Sequence, residues 1–444
     1  MSQFPTQGVP APETWRRRRE AVQARMGASV MLLPAAPVQF RSRDTERRYR
    51  PDSELYYLTG VTEPGSFAVL VGGANARLVL FVRRRDEKEE LWAGPRLGPE
   101  GAAELFGADE CYSVAELEER LPALLQEGDR INYRLGANER ADSFARLALG
   151  QARASGAREG TGPRALVDPG EVLDDMRLLK DGDEIAMIRA AAEVSAMGHR
   201  SGAAAIASGV GEWVVESAVE AEFRALGADG PGFATIVGSG ANGCVLHYVE
   251  NRDTVPDDAL VLIDAGAEVC RYNGDITRTY PASGRFSDEQ REVYRVVESA
   301  RQAAVAQVSP GVSIASVHDA SVRAIVEGLV GLGVLSGATE DLLADGAHRP
   351  FFPHQTSHWL GLDVHDPGDY SRDGASRVLE PGMVFTVEPG LYFRPDVSEG
   401  AGRAFSGIGV RIEDDVLVTA AGCEVLTASL PTSDDEIEGL VGTR

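Results

Sequence analysis

The sequence predicts an α/β domain followed by a larger α+β domain. Residues 1–177 mix short apolar runs such as SVMLLP, FAVLVGG and RLVLFVRR with helical stretches such as AELEERLPALLQE, which is an α/β pattern. Residues 178–444 alternate long helical patterns with short strands. The turn residues of VDPGEV lie between the two segments and precede a helix whose apolar repeat begins at Ile185.

The distribution of charge supports the same boundary. The chain of 444 residues has 68 acidic and 44 basic residues, a net charge of −24. Residues 1–177 hold 27 acidic and 25 basic residues, whereas residues 178–444 hold 41 and 19. Such an acidic surface disfavours binding of nucleic acid phosphates and of anionic lipid. We therefore expect no nucleic acid and no membrane among the partners.

The N-terminus and the cysteines predict a cytoplasmic protein. Arg16–Arg19 are followed by no apolar run, and no stretch approaches the roughly 18 consecutive apolar residues of a membrane span. That run and the run RRRDEKEE (83–90) are interpreted as solvated surface, because acidic residues interrupt or follow both. The four cysteines are scattered without a CxxC motif, which is typical of reduced thiols; they are Cys111, Cys244, Cys270 and Cys423.

The second segment predicts four helices and six strands, with a weak internal repeat. The helices are expected at 183–205, 212–226, 287–308 and 312–333, and the strands in TIVGSG, CVLHYV, ALVLIDAGAE, ITRTY, MVFTVEPG and GVRIEDDVLVT. Acidic residues recur in two strand pairs, near 264 and 275 and again near 388 and 413.

GSGANG (238–243) is a literal GxGxxG motif. A dinucleotide fingerprint must follow a strand and open a helix. Here the strand-like CVLHY follows, so we interpret the motif as a glycine turn between two strands and not as an NAD site.

Four acidic residues occur inside or beside apolar strands. Asp264 lies in ALVLIDAGA on the same face as an apolar residue, and Asp275 begins the next strand. Glu388 lies in VFTVEPG, and Glu413 lies in GVRIEDDVLV with Arg411 on its face. Burial of four carboxylates is too costly unless cations neutralise them. One arginine cannot do so, whereas one or two divalent metal ions can.

Three of the seven histidines fall within twelve residues, at His354, His358 and His365. The first two have the spacing of a zincin helix, but HQTSH lacks the glutamate of HExxH, and Pro353 and Gly361 disfavour a long helix. We interpret the cluster as part of a metal or catalytic site. Such an oxygen-rich donor set favours Mn(II), Co(II) or Fe(II) over thiolate-bound zinc. Four carboxylates suit two ions about 3.5–4 Å apart that share bridging carboxylates.

These segments resemble the pita-bread metallopeptidase family, which includes aminopeptidase P, prolidase, creatinase and methionine aminopeptidase. The matching segments are IVGSGANGCVLHY, LVLIDAGAE, GDITRTYPASGRFSDEQREVY, HRPFFPHQTSHWLGLDVHD, LEPGMVFTVEPGLY and GIGVRIEDD, with weaker matches in YRPDSELYYLTGVTEPGS and ELWAGPRLG. SHWLGLDVHD and HRPFF are more similar to aminopeptidase P than to prolidase. The resemblance implies an N-terminal domain of creatinase/aminopeptidase P type at 1–177. It implies a pita-bread catalytic domain at 178–444, with pseudo-twofold related halves around a curved antiparallel sheet.

The resemblance also implies the metal ligands. They are Asp264, Asp275, His358, Glu388 and Glu413. Asp275 and Glu413 would bridge two divalent ions, Asp264 would complete one, and His358 with Glu388 would complete the other. Mn(II) is expected, with Co(II), Fe(II) or Zn(II) as alternatives.

The catalytic residues are implied in the same way. A metal-bridging hydroxide would attack the scissile carbonyl while Glu388 transfers protons. His247 and His365 would stabilise the substrate carbonyl and the tetrahedral intermediate. His354 would line the site for proline, and Arg411 would orient the carboxylates and nearby substrate.

The function implied is release of the N-terminal residue from peptides with proline in second position, Xaa-Pro-Yaa. A homo-oligomer, dimer or tetramer, is expected, in which Trp92 of ELWAGPRLG would contribute to a neighbouring active site. Two alternatives remain open: a prolidase restricted to Xaa-Pro dipeptides, and a non-catalytic peptide-binding module on the same fold.

Overall fold

The computed structural model describes residues 11–156, 158, 160–396 and 400–442. The described chain divides into two compact units, one ending at Met176 and the other beginning at Arg177. None of the described helices combines the length and the apolar character needed to cross a membrane.

The N-terminal unit is built on a six-stranded mixed sheet, and a separate pair of short strands accompanies it. The strands of the unit are β1 (Val30–Pro34), β2 (Phe40–Ser42), β3 (Thr45–Glu46), β4 (Phe67–Val71), β5 (Arg77–Val82), β6 (Glu110–Ser113), β7 (Ile131–Asn132) and β8 (Leu166–Val167). The sheet order is β6-β5-β4-β1-β7-β8, and β2 pairs with β3 separately. The central strands β1, β4 and β5 are antiparallel, whereas the outer strands pair in parallel. Every residue of β1 and β4 is buried, which explains their continuous apolar runs.

Helices are interspersed with these strands. They are α1 (Pro12–Met26), α2 (Ser53–Thr59), α3 (Glu87–Ala93), α4 (Gly98–Phe106), α5 (Leu117–Leu125), α6 (Glu139–Gln151) and α7 (Gly170–Leu178), the last of which spans the division between the units. Asp86, inside the second charge run, caps α3 by accepting hydrogen bonds from the backbone N–H groups of Lys88 and Glu89.

The predicted solvation of Arg16–Arg19 is wrong for two of its four residues. Arg18 and Arg19 are buried. Arg18 donates to the carbonyl oxygen of Tyr57 at 3.3 Å and lies 4.2 Å from the centre of its ring, and Arg19 donates to the carbonyl oxygen of Leu58 at 3.0 Å. These carbonyls belong to the last turn of α2, where helical backbone acceptors lack intrahelical partners. The two guanidiniums satisfy that helix end, so they are structural.

The C-terminal unit combines small antiparallel sheets with long helices. Its strands are β9 (Gly230–Pro231), β10 (Ile236–Ser239), β11 (Leu260–Asp264), β12 (Ala267–Val269), β13 (Tyr272–Asn273), β14 (Thr277–Pro281), β15 (Ser371–Arg372), β16 (Ala375–Ser376), β17 (Val384–Val387), β18 (Gly390–Tyr392), β19 (Gly409–Arg411), β20 (Asp414–Thr419) and β21 (Gly422–Val425). Its helices are α8 (Gly182–Ala205), α9 (Glu212–Ala225), α10 (Asp288–Gln307), α11 (Ile314–Gly331), α12 (Thr339–Ala344) and α13 (Asp434–Glu438).

The long helices begin where the sequence supplies capping residues. Asp181 and Glu184 form a capping box at the start of α8, and Ser287 and Gln290 form another at α10. Helices α8 and α9 pack closely because Gly198 leaves room for the ring of Phe223. A Cβ at that glycine would lie 2.2 Å from a ring carbon. The apolar faces of these helices join the main core of the unit together with β11.

Two antiparallel strand pairs carry candidate acids at corresponding places. Asp264 is the last residue of β11 and is paired with Thr277, the first residue of β14. Glu388 directly follows β17, whose last residue is paired with the first residue of β20. A bridge joins the two pairs, because Glu413 N–H donates to the Thr277 carbonyl oxygen at 3.0 Å. The two halves of the unit thus repeat one arrangement around the candidate site.

The predicted strand CVLHYV is wrong. Gly240–Cys244 form a 3₁₀ helix, and residues 245–249 belong to no strand. The reason is the buried carboxylate of Glu212, which accepts hydrogen bonds from the side chains of Asn242 and Tyr248. These bonds hold the segment as a loop. No α-helix follows GSGANG either, so it remains a turn and not a dinucleotide fingerprint.

Candidate active site

Three of the predicted metal ligands meet at one point. Ligand atoms of Asp275, His358 and Glu413 all lie within 4.8 Å of one another. The Nε2 atom of His358 lies 3.4 Å from Asp275 Oδ2 and 3.9 Å from Glu388 Oε1. Its Nδ1 atom donates to the carbonyl oxygen of Trp359 at 3.1 Å. This bond places the proton on Nδ1 and leaves the lone pair of Nε2 facing the carboxylates.

Asp264 is held beside this group by the one arginine of the predicted site. Arg411 Nη2 donates to Asp264 Oδ2 at 2.6 Å, while Asp264 Oδ1 is buried without a hydrogen-bond partner in the described chain. Arg411 also donates to the hydroxyls of Thr277 and Tyr392, at 3.1 Å and 3.0 Å. Thr277 in turn donates to Glu413 Oε2 at 2.6 Å. One guanidinium therefore organises two carboxylates but neutralises only one.

The cluster has more negative charge than the single guanidinium of Arg411 can neutralise. Burial raises the pKa of Asp275 and of Glu413 well above their ordinary values, and the carboxylates of their neighbours raise them further. Burial raises the pKa of Glu388 to about 7, with Asp264 adding to the rise and His358 opposing it. Four carboxylates, one of which has an unpartnered buried oxygen, and one imidazole lone pair form a donor set that fits divalent cations. The residues present therefore suit the metals implied by the sequence.

The pKa of Glu388 predicts a pH dependence for the metal-free protein. The ordinary glutamate pKa is 4.5, and that of folded Glu388 is about 7. Between these values the folded state binds more protons than the unfolded state, so this group's contribution to stability falls as the pH rises. His354, with a pKa lowered to about 4, acts in the opposite sense between 4 and 6.5.

A Glu388→Gln variant isolates the contribution of the glutamate. In chelator, we expect the thermal midpoint of the variant, relative to wild type, to increase between about pH 5 and pH 8. A difference that stays constant or shrinks over that interval would show that Glu388 carries no raised pKa.

His354 forms one wall of the site in a fixed, neutral state. Its Nδ1 atom donates to the Gln355 carbonyl oxygen at 2.8 Å, and its Nε2 atom lies 2.9 Å from Tyr392 Oη. Burial, together with the positive charge of Arg411, lowers its pKa to about 4. Nδ1 also lies 3.7 Å from Glu388 Oε2. His354 thus presents an uncharged flat ring beside that carboxylate.

The other two predicted histidines lie at the rim. The ring of His365 packs edge-on to that of His358, with centroids 4.4 Å apart. Burial lowers the pKa of His365, and the imidazoles of His358 and His247 add to this lowering. His247 itself is exposed on the loop held by Glu212. It is close enough to influence the titration of both His354 and His365.

Asp415 and Tyr392 belong to the site but are absent from the sequence prediction. Asp415 is fully buried, and its Oδ2 atom accepts from the backbone N–H of Asp275 at 3.1 Å. Tyr392 links Arg411 to His354 through its hydroxyl. Side chains alternate along the strand-like GVRIEDD, so Asp415 lies on the same face as the predicted ligand Glu413. This alternation could have identified Asp415 from the sequence. No local pattern singles out the tyrosine.

Trp92 lies outside this unit. It is in α3 of the N-terminal unit and is 89% exposed. Its contribution to a neighbouring active site stays a prediction.

Comparison with known proteins gives matches along nearly the whole chain. The profile of metallopeptidase family M24 matches residues 186–420, and that of the aminopeptidase P N-terminal domain matches residues 15–132. The Xaa-Pro aminopeptidase of Escherichia coli is 43% identical over 431 residues, 97% of each chain.

Solved structures agree with these matches. The aminopeptidase PepP of Pseudomonas aeruginosa superposes with a TM-score of 0.93 at 44% identity, covering 99% of this chain and 98% of that one. Zinc-substituted Escherichia coli aminopeptidase P in complex with product superposes with a TM-score of 0.93 at 43% identity, covering 98% and 99%. The C-terminal unit therefore has the pita-bread fold, preceded by an α/β unit of the aminopeptidase P type.

Proposed function

The chain belongs to metallopeptidase family M24, and on that premise we propose that two divalent metal ions, held by five side chains, serve its peptidase reaction. The side chains are Asp264, Asp275, His358, Glu388 and Glu413. The activity is that of an Xaa-Pro aminopeptidase, which releases the N-terminal residue from peptides with proline in second position. The observation that carries the proposal is the grouping of three carboxylates beside the imidazole of His358, with the fourth, Asp264, held next to them by the guanidinium of Arg411.

The assignment of ligands follows from position. Ligand atoms of Asp275, Glu413 and His358 lie within 4.8 Å of one another, which is compatible with two carboxylates that would bridge two ions. Asp264 would help to hold one ion, and His358 with Glu388 would help to hold the other. Mn(II) is proposed as the metal because oxygen donors dominate, and Co(II), Fe(II) or Zn(II) are accommodated by the same set. The existence of a zinc-substituted relative supports a divalent cation of this kind.

The ions supply Lewis acidity toward a water molecule and toward the scissile carbonyl. Glu388 would accept a proton from the water and deliver it to the proline nitrogen as the bond breaks. His365 and His247, at the rim, would donate hydrogen bonds to the developing oxyanion. Asp415 fixes the backbone at Asp275, so the ligand's position does not depend on the metal alone.

Specificity for proline follows from the chemistry of the bond that is cut. An Xaa-Pro bond is a tertiary amide, so the proline nitrogen offers no N–H for the enzyme to bind. The neutral ring of His354 offers an apolar wall and requires no such donor. The excess of acidic residues in 178–444 favours the protonated α-amine of the substrate, an effect screened by salt.

Metal analysis tests the dinuclear assignment. Protein reconstituted with Mn(II) is expected to contain close to two ions per chain, because four carboxylates exceed the needs of one ion. Activity should disappear in a strong chelator and return when Mn(II) is added. Full activity in chelator, with no metal bound, would contradict the proposed metal-dependent mechanism.

Two alternatives are separated by one pair of substrates. A prolidase would cut an Xaa-Pro dipeptide but not an Xaa-Pro-Yaa tripeptide, whereas an aminopeptidase cuts the tripeptide. A non-catalytic module would bind both and cut neither, even when loaded with metal. The retained ligand set favours catalysis, and the relatives' names favour the aminopeptidase.

The cellular setting is proposed from weaker observations. All four cysteines are free thiols, as expected in the reducing cytoplasm. A homo-oligomer is proposed because Trp92 is a large apolar side chain held almost fully exposed.

A further inference from the structure

A cavity of about 810 Å³ opens beside the candidate active site. His354 and Gln355 line the part next to the site. Most of the remaining lining comes from α11 and the segment after α12, with Gln307 of α10 and Leu343 of α12. Its size falls within the roughly 300–1,000 Å³ of pockets that hold small ligands. None of the reactions described above uses the far end of this cavity.

The cavity is connected to the reacting carboxylate through Thr356. Glu388 N–H donates to the Thr356 carbonyl oxygen at 2.8 Å, and Thr356 N–H donates to His318 Nδ1 at 3.3 Å. Because Nδ1 of His318 accepts, its proton lies on Nε2. That nitrogen makes no hydrogen bond to any residue the structure describes, although His318 lines the cavity. The cavity lining therefore includes a hydrogen-bond donor that no described residue uses.

The lining is basic, in contrast to the rest of this unit. Arg349 lines the cavity and forms no ion pair with the residues that the structure describes. His348, its neighbour, has a buried Nδ1 atom without a partner in the same part of the chain. Arg323 also lines the cavity but is held by Glu340 at 2.7 Å, and Asp319 is the acidic lining residue. These groups stand in a segment with 41 acidic and 19 basic residues.

We propose that this cavity binds the C-terminal carboxylate of short substrate peptides, with Arg349 as its principal partner. The inference rests on the proposed function and deepens it. A peptide cleaved after its first residue extends from the reacting carbonyl toward a carboxylate, the anion that a free guanidinium binds in a two-pronged geometry. His318 and His348 line the same cavity, so they would bind the peptide backbone or its terminal carboxylate.

The distance from His354 to Arg349 limits the length of the peptide whose carboxylate can reach the guanidinium. The backbone from Arg349 to His354 spans at most about 17 Å when fully extended. The turn in which Phe351 and Phe352 donate to the His348 carbonyl oxygen shortens this distance. An extended peptide covers 3.3–3.6 Å per residue, so no more than about five residues separate proline from the carboxylate. Longer peptides would carry their carboxylate beyond the guanidinium.

Paired peptides with a free C-terminal carboxylate or a C-terminal amide test the proposal. We would measure kcat/KM for Xaa-Pro-(Yaa)n with n from one to five, in both forms. At the best length, the acid is expected to exceed the amide by at least about tenfold, the effect of one charge-assisted hydrogen bond. Arg349→Gln should reduce that ratio to about two or less while leaving kcat/KM for the amides within about twofold.

Arg285→Gln is the matched control, because Arg285 is an exposed arginine of the same unit outside the cavity lining. This variant should retain the full acid preference. Equal rates for acid and amide at every length in wild type would overturn the cavity assignment and leave the proposed function intact. Failure to cut any of these peptides, in metal-loaded protein, would overturn the proposed function itself.

Discussion

Replacing Glu413 by glutamine is expected to lower kcat by at least about 10²-fold in metal-loaded protein. An amide carries no charge and cannot bridge two cations, so the positive charge of the site is left in excess. The amide is otherwise close in size to the carboxylate, and its oxygen can still accept from the Thr277 hydroxyl, which lies 2.6 Å from Glu413. The fold around it should therefore be preserved.

The same substitution is expected to lower kcat but not the stability of the metal-free protein. Burial and the charges of Asp275 and Glu388 raise the pKa of Glu413, so its ionised form is unfavourable in the metal-free chain. The metal-free variant should unfold at the same temperature as metal-free wild type or higher. Loss of activity with no loss of metal-free stability would separate a ligand from a structural residue.

Glu424→Gln is the matched control for this experiment. Glu424 lies in β21, which pairs with β20, and it is partly exposed beside Arg189. Exposed ion pairs contribute little to stability, about 0–1 kcal/mol. Its variant should keep kcat within about twofold and bind the full complement of metal. Equal losses in the two variants would contradict the assignment of Glu413.

The second large effect concerns the residue after the cleaved bond. kcat/KM for Xaa-Pro-Yaa is expected to exceed that for Xaa-Ala-Yaa by at least about 15-fold. Proline has two side-chain carbons more than alanine, Cγ and Cδ, and burial of each at about 0.8 kcal/mol accounts for a factor of that size. The alanine peptide also brings an N–H group for which the neutral ring of His354 provides no acceptor, because its Nδ1 donates and its Nε2 faces Tyr392.

His354→Ala identifies the wall that carries this preference. The variant should lose most of its advantage for proline, while kcat/KM for the alanine peptide changes much less. The thermal midpoint should fall by only a few degrees, because the imidazole is about 20% exposed and the rings it packs against, Phe352 and Tyr392, remain in place. A proline preference that survives in the variant would mean that another surface forms the proline pocket.

The sequence by itself determined the long helices and identified the candidate metal donors. Asp264 and Glu388 could be recognised because a carboxylate in an apolar strand context needs a physical explanation, and that requirement is local. The starts of α8 and α10 were equally predictable, since Asp181 and Ser287 cap backbone N–H groups only three residues further along the chain.

The tertiary structure alone decided how these groups are partnered. Arg411 reaches Asp264 across 147 residues of sequence, and Asp415 reaches the backbone of Asp275 across 140. Arg18 is buried, against the sequence prediction, because a helix end 39 residues away offers it a carbonyl. A sequence pattern reports the chemistry of a side chain and the period of its neighbours. Which distant acceptor that side chain meets depends on how the helices and strands pack, and this information is spread over the whole chain.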